Sequence, residues 1–363
     1  MSAYMMSEEC KDLSMSRVIS EIGSEFWIEN APPTKLTERE GNYCLSGRTA
    51  IDLILQDILK RRVVKNVALP AWCCDSMIAP FLARGIEVRF YDYGHTEFLR
   101  PDGSKRSEVE RTETTEVFYL TNYFGYENML DIEVVRKIKE KGSIILYDRT
   151  HSFLMDDVEY RELSDYSYAS IRKWMGVIGG AVVEGIDKHE LKDCPYISIK
   201  EKAMQDKYCY LMGDNCIKKD EFLTAFGEFG HKLTEDYCNY AMDDLSYTLY
   251  KQEDIRKMMQ QRRDNAAYIH ENLKGLLFMY EFTDKAVPLF VPVLFESKEQ
   301  RDSVRKKLIE QQIYCPVHWP KPKQIPADYR VNDIVNRELS LICDQRYGLS
   351  EIKREIETLM RLI

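Results

Sequence analysis

The stretch DYSYASIRKWMGVIGGAVVEG, residues 165–185, decides how the rest of the chain is read. A short run of strand-forming residues, Tyr168, Ala169 and Ser170, leads to Lys173, and the pair Gly179 and Gly180 opens a second run, Ala181, Val182 and Val183. Lys173 is followed at once by Trp174, Met175 and a small apolar segment, whereas a solvated lysine usually has polar neighbours. Taken alone, such a lysine is accounted for by snorkelling from a strand end. Its company elsewhere in the chain changes that reading. Twenty-five residues upstream stands Asp148, delivered by the unbroken apolar run 144–147. Runs of this kind are buried on both faces of a parallel sheet, and open α/β sheets hold their ligands at the carboxyl ends of such strands. His151 lies three residues further on.

Working outward toward the N-terminus, Ser46, Gly47, Arg48, Thr49 and Ala50 precede Ile51, Ile54, Leu55, Ile58 and Leu59, whose spacing predicts an amphipathic helix starting at a small-residue turn. Free amides at that start, together with the positive end of the helix dipole, favour a phosphate; a serine cap would use the same residues. Residues 67–70 and 87–93 read as strands around a helix over 76–84, a β-α-β unit. Residues 117–123 are the next strand, and Asp131 caps a helix carrying Ile132, Val135 and Ile138 that Gly142 ends.

Toward the C-terminus the sheet pattern fades. Residues 190–245 read as mainly helical, and 252–273 as one long helix bridging to a second unit. That unit reads as a strand over 290–295, a helix entered through the capping box Ser297 to Gln300 with Val304, Leu308 and Ile309 inside, a strand over 313–318, a proline-rich loop over 320–326, and a last helix capped by Ser350 with Ile352, Ile356, Leu359, Met360 and Ile363 on one face. The expected architecture is therefore α/β: an arm over 1–40, closed by Pro32 and Pro33, that packs on the rest of the molecule or on a partner subunit; a large domain over 41–250 with a mostly parallel sheet flanked by helices; and a smaller α+β domain over 251–363.

Composition sets the outer limits. At 363 residues and 44% hydrophobic content the chain can build a large core. A net charge of -9, with no basic block commanding a face, argues against nucleic acid. No apolar run reaches membrane-spanning length and the first twenty residues carry no signal-peptide pattern, so a cytoplasmic protein without a membrane role is expected. The ten scattered cysteines, with no C-x-x-C pair, suit free thiols better than a disulfide frame or a metal site.

The chemistry follows from combination. A buried lysine can form an imine with an aldehyde, a carboxylate at a neighbouring strand end can keep a pyridine nitrogen protonated, and a helix start can hold a phosphate. Lys173, Asp148 and the turn Gly47–Thr49 together describe a site for pyridoxal 5'-phosphate (PLP). The stretches SGRTAIDLIL (46–55), LPAWCCDSMIAPFLARGIEVRFYD (69–92), LTNYFGYENMLD (120–131), IILYDRTHSF (144–153), YASIRKWMGVIGGAVV (168–183), PVLFESKEQRDSVRKKLIEQQIYCPVHWP (292–320) and ELSLICDQRYG (338–348) resemble, in order, the DegT/StrS-type aminotransferases, which have the aspartate-aminotransferase fold, fold type I.

The resemblance implies that Lys173 carries the cofactor covalently, that Asp148 pairs with the pyridine nitrogen, that His151 stands near the ring hydroxyl, that Gly47, Arg48 and Thr49 cradle the phosphate, and that Ser170 contacts it. Arg48 stands where many relatives have threonine and either adds a charge-assisted contact or points away. The ring-stacking position falls on Trp72 or, with a two-residue shift, on Cys74, unless Trp72 packs in the core. Asn122 either bonds the cofactor hydroxyl or caps its strand end; His318 and Tyr347 either face substrate or are structural, while Tyr168 and Trp174 read as packing residues. The family reaction passes an amino group from a donor, glutamate, to a keto acceptor, a nucleotide-linked keto sugar in amino-sugar biosynthesis, in homodimers. Elimination, decarboxylation or acyl transfer on an amino acid, or a non-catalytic homologue, are the other readings of the same residues.

Overall fold

The computed structural model describes residues 21–29, 35–91, 115–127, 129–325 and 331–363. Pro32, Pro33, Asp92, Tyr93 and Pro326, which figure in the expectations above, lie outside them, as does most of the arm.

Taken along the chain, the strands are β1 (Ile22–Gly23), β2 (Tyr43–Cys44), β3 (Asn66–Pro70), β4 (Glu87–Tyr91), β5 (Val117–Thr121), β6 (Ile144–Asp148), β7 (Tyr166–Ser170), β8 (Ala181–Glu184), β9 (Leu277–Phe278), β10 (Val291–Leu294), β11 (Ile313–Tyr314) and β12 (Glu338–Leu341). The helices are α1 (Gly47–Arg61), α2 (Asp75–Ala83), α3 (Ile132–Glu140), α4 (Val158–Leu163), α5 (Ile197–Leu211), α6 (Lys219–Glu235), α7 (Asp244–Gln252), α8 (Ile255–Asn272), α9 (Lys298–Glu310), α10 (Val331–Arg337) and α11 (Leu349–Met360). None is long and apolar enough, among the described residues, to cross a membrane.

Seven strands form the main sheet in the order β2-β8-β7-β6-β5-β3-β4. From β4 through β7 every pairing is parallel, while β8 and β2 run antiparallel at one edge. All of β5 and β7 and most of β6 are buried, which is why these strands read as continuous apolar runs without alternation. Strand order reverses between β3 and β5, and such a switch point opens a crevice at the carboxyl ends of the strands. A smaller antiparallel sheet, β12-β10-β9, builds a second core with α8, α9 and α11 around Val291, Val293, Leu308, Leu339 and Ile356.

The N-terminal segment serves both units. Its β1 pairs in parallel with β11, matching Ile22 to Ile313, while Ile28 packs with Ile178 and Met204 beside the loop that follows Lys173.

Several boundaries differ from expectation for local reasons. The long helix over 252–273 is two helices, because Asp254 leaves the helical track and caps α8 through the Lys257 amide. Strand β5 stops at Thr121, and Asn122 opens a turn. The last helix is capped at Gly348, with Ser350 inside it, and Met360 and Ile363 are exposed at its frayed end. Ile309 is exposed as well. Strand β11 covers two residues, since beyond Tyr314 the chain turns into the loop that carries His318 and Trp319.

Candidate active site

Strand β6 ends on Asp148, and the parallel register sets Tyr168 of β7 directly opposite it. Thr121 of β5 faces it from the other side, with Tyr119 two residues earlier on the same face. Both tyrosine hydroxyls donate to Asp148 Oδ2, Tyr119 at 2.8 Å and Tyr168 at 2.7 Å, and the Thr150 amide donates to Oδ1 at 2.8 Å. The carboxylate is thus fixed in rotation, with acceptor capacity left on Oδ1. Burial and then the Asp148 charge drive both phenols far above their ordinary pKa, so they remain donors.

After β7 the chain makes one turn of 3₁₀ helix, Ile171–Lys173, which aims Lys173 back across the strand ends. Arg172, Lys173, Asp148, Thr150, His151, Tyr168 and Ser170 all line one cleft, whose other walls include Ser46, Gly47, Arg48, Cys74, Ser76, Thr121 and Trp319. The Lys173 ammonium lies 6.0 Å from the Trp319 ring centre and is in no ion pair among the described residues. Burial lowers its pKa below the ordinary lysine value, and Arg172 adds to this against the pull of Cys74 and Asp148. His151 accepts from the Phe124 amide at Nδ1 (3.2 Å), which leaves Nε2 to carry the proton. Burial, Lys173 and His318 hold it well below its usual pKa, so its ring is neutral, and it stacks on Trp319 at 5.4 Å with the planes 29° apart.

The opposite wall is the start of α1. Ser46 caps it, its Oγ accepting from the Thr49 amide at 3.2 Å, and Gly47 follows with its Cα pressed toward β7. A side chain there would put its Cβ 3.2 Å from the Tyr168 ring and 3.6 Å from the Ser170 Cβ. Three buried polar atoms of residues lining the same cleft have no partner among the described residues: Ser170 Oγ, Arg48 Nε and Arg172 Nε. A buried polar atom without a partner is costly. Three of them around a cleft that a helix N-terminus also lines suit an anion such as a phosphate.

Of the residues singled out in the sequence, Lys173, Asp148, His151, Gly47, Arg48 and Ser170 therefore meet in one cleft. Arg48 turns only partly toward it, since its Nη1 donates to the Leu233 carbonyl at 2.7 Å. Thr49 is wholly buried behind the turn and bonds to Ser46. Trp72 is a correction: its indole is buried, stacks on Tyr123 at 4.9 Å and donates to the His318 carbonyl, while Cys74, two residues on, reaches the cleft. Asn122 is another, because its amide closes the turn to Gly125 and Tyr126 and does not reach the cleft wall. His318 and Tyr347 are structural: the first bonds Ser340 Oγ at 2.8 Å and the second Gly23. Trp174 packs on Arg262, as expected of a packing residue, but Tyr168 does more than pack.

The residues that sequence reasoning passed over are Tyr119, Tyr168, Thr150, Arg172 and Trp319. Hydroxyl-bearing tyrosines inside strands buried on both faces were the available signal, since a phenol there needs a partner. Trp319 gave none, because it arrives from the second unit.

No protein-family profile matches the chain, and no curated protein matches it in sequence. Solved structures do match in fold. PseC of Helicobacter pylori, an aminotransferase involved in pseudoaminic acid biosynthesis, superposes with a TM-score of 0.61 at 14% identity over 90% of this chain and 87% of its own. DesI, solved with its TDP-sugar product, gives 0.61 at 16% identity over 89% and 80%. NtdA of Bacillus subtilis, solved with pyridoxamine phosphate (PMP) bound, gives 0.58 at 16% identity over 90% and 73%. The α/β architecture with its mostly parallel sheet is the fold of these enzymes.

Proposed function

We propose that this chain is a PLP-dependent aminotransferase of the DegT/StrS type that moves an amino group from glutamate to a keto sugar, in the cytoplasm and as a homodimer. One observation carries the reading: the Lys173 amine, the Asp148 carboxylate and the partnerless Ser170 hydroxyl line one cleft at a helix start. The residues present fit the cofactor. The α1 amides, Ser170 and Arg48 would hold its phosphate, Asp148 its ring nitrogen, Lys173 its aldehyde carbon, and His151 its hydroxyl. Thr150 and Cys74 line the same cleft, and the sugar class of the acceptor is taken from the structural neighbours.

Once bound, the cofactor would supply an aldehyde for amine exchange and a protonated ring that draws electrons from the substrate's Cα. The chain does the rest. Lys173, its pKa lowered by burial, is neutral more readily than a surface lysine, and so can take and return a proton at the substrate's Cα. The Asp148 carboxylate is held in place by two tyrosine hydroxyls and an amide. Trp319 stands 6.0 Å from the amine, with His151 against its ring. The division into an arm, a large unit to about residue 250 and a small C-terminal unit belongs to the same proposal, the cleft being set where the small unit's Trp319 meets the large sheet.

The test is optical. Protein mixed with PLP should develop a visible absorbance band that K173A lacks, and glutamate should convert that band to the spectrum of the aminated cofactor. Release of pyruvate or carbon dioxide would indicate elimination or decarboxylation, and protein that stays colourless with PLP would overturn the reading. Sedimentation at micromolar concentration tests the dimer.

A further inference from the structure

Strand β12 opens on a residue that sits oddly in a core. Glu338 is wholly buried where β12 pairs with β10, opposite Leu294, and it is in no ion pair among the described residues. Arg301 donates to its main-chain carbonyl at 2.7 Å and not to its carboxyl. Burying a carboxyl costs free energy that an apolar side chain at the same place would not. What sets Glu338 apart is that both of its oxygens serve one residue. Oε2 accepts from the His318 amide at 2.7 Å, and Oε1 bonds the Ser340 hydroxyl, which bonds His318 Nδ1 at 2.8 Å. The His318 carbonyl accepts from the Trp72 indole at 2.8 Å, and the His318 ring is boxed in by Phe290 at 5.0 Å and Phe124 at 5.2 Å. Amide, carbonyl and ring are all held, so this residue is fixed in place and in direction.

The next residue is Trp319. Its indole lines the cleft, lies 6.0 Å from the Lys173 ammonium, stacks on His151 at 5.4 Å and meets Trp72 edge-on at 5.7 Å. Its side chain makes no hydrogen bond among the described residues. The place of the indole is therefore set by the rings it touches and by the backbone that delivers it, and that backbone is the one Glu338 grips. Burial raises the Glu338 carboxyl to about 8, so at neutral pH it keeps its proton. Glutamine copies that state, with one oxygen to accept and an N–H to donate, whereas alanine copies neither.

We propose that Glu338 is a positioning residue of the cleft: it holds His318 by amide and ring, and so sets the Trp319 indole against Lys173 and His151, which makes the cleft's grip on its cofactor depend on a carboxyl in the smaller sheet. The placement of the indole rests on these contacts alone, and only the identity of the ligand rests on the aminotransferase reading. An acid kept merely to stabilise its own sheet would leave Trp319 indifferent to its loss.

Fluorine NMR of fluorotryptophan-labelled protein tests it, because the chain has four tryptophans, Trp27, Trp72, Trp174 and Trp319, whose resonances single phenylalanine variants assign. Before PLP is added, E338A should displace the Trp319 resonance, and with it that of Trp72, while Trp27 and Trp174 hold; E338Q should leave all four in place. An unmoved Trp319 in E338A overturns the proposal, and so does an E338Q that moves it as far. Should E338A fail to fold, S340A cuts the ring arm alone: Trp319 should shift there too, and an unmoved resonance is equally fatal. With PLP, affinity should fall severalfold in E338A and recover in E338Q, and E338A should weaken it no further in a W319F background, since both act through one ring. Losses that add would mean that Glu338 acts by another route, and would overturn the proposal. If PLP does not bind wild type, the aminotransferase reading falls, whereas the resonances of the unloaded protein still decide whether Glu338 places Trp319.

Discussion

Asp148 accepts from two tyrosine hydroxyls on one oxygen and an amide on the other, before any ligand reaches it. Hydrogen bonds to a charged group contribute about 1.5–3 kcal/mol each. Y119F and Y168F should each cost an amount in that range in urea unfolding. The double variant should cost less than the sum, because the two hydroxyls share Oδ2 and touch each other at 2.5 Å. Additive losses, or losses below about 0.5 kcal/mol, would mean that the carboxylate is not held this way. Asp148 and Lys173 were legible in the sequence because each stood out against an apolar run. The tyrosines were not, because a phenol in a strand reads first as an aromatic that packs, and only the register between β5, β6 and β7 turns three distant residues into one cluster.

At the level of elements, what was legible followed from local rules. The Ser46 and Asp131 caps and the parallel core strands need only neighbours in sequence. The break between α7 and α8 needed the geometry of Asp254. Trp72 and Cys74, two positions apart at the end of β3, could not be ranked, because the ring that the indole stacks on, Tyr123, is more than forty residues away. The loop after Lys173 depends on a similar long-range fit, where Gly176 meets the backbone of Trp27. G176A should therefore destabilise the protein by about 1–3 kcal/mol, the range for overpacking a tight site, and weaken PLP binding while leaving Lys173 in place. A melting curve and a PLP titration check this; unchanged values in both would show that the loop has room to shift.

For the whole molecule, buried ionisable groups set how stability depends on pH. His151 and His318 are held well below 6.5, chiefly by burial. Below pH 6.5 the unfolded chain takes up protons that the native state refuses, so each histidine lowers stability as pH falls, by about 1.4 kcal/mol per unit. Glu338 works in the opposite sense. Burial raises it from 4.5 to about 8, so its contribution is full below pH 4.5 and is lost as pH rises toward 8. Urea midpoints between pH 5 and 8 should show E338Q losing less stability than wild type as pH rises, and H151N losing less as pH falls below 6.5. Curves that run parallel for all three proteins would contradict these assignments.

The pairing of Ile22 with Ile313 has a mechanical side. The same few residues are laced to β11 at one end and wedged against the lysine loop at the other, so they work like a buckled belt between the two. Spreading the two units apart would first require unfastening it. A protein trimmed to begin at residue 30 should then lose its grip on PLP although no residue of the cofactor cradle has been removed.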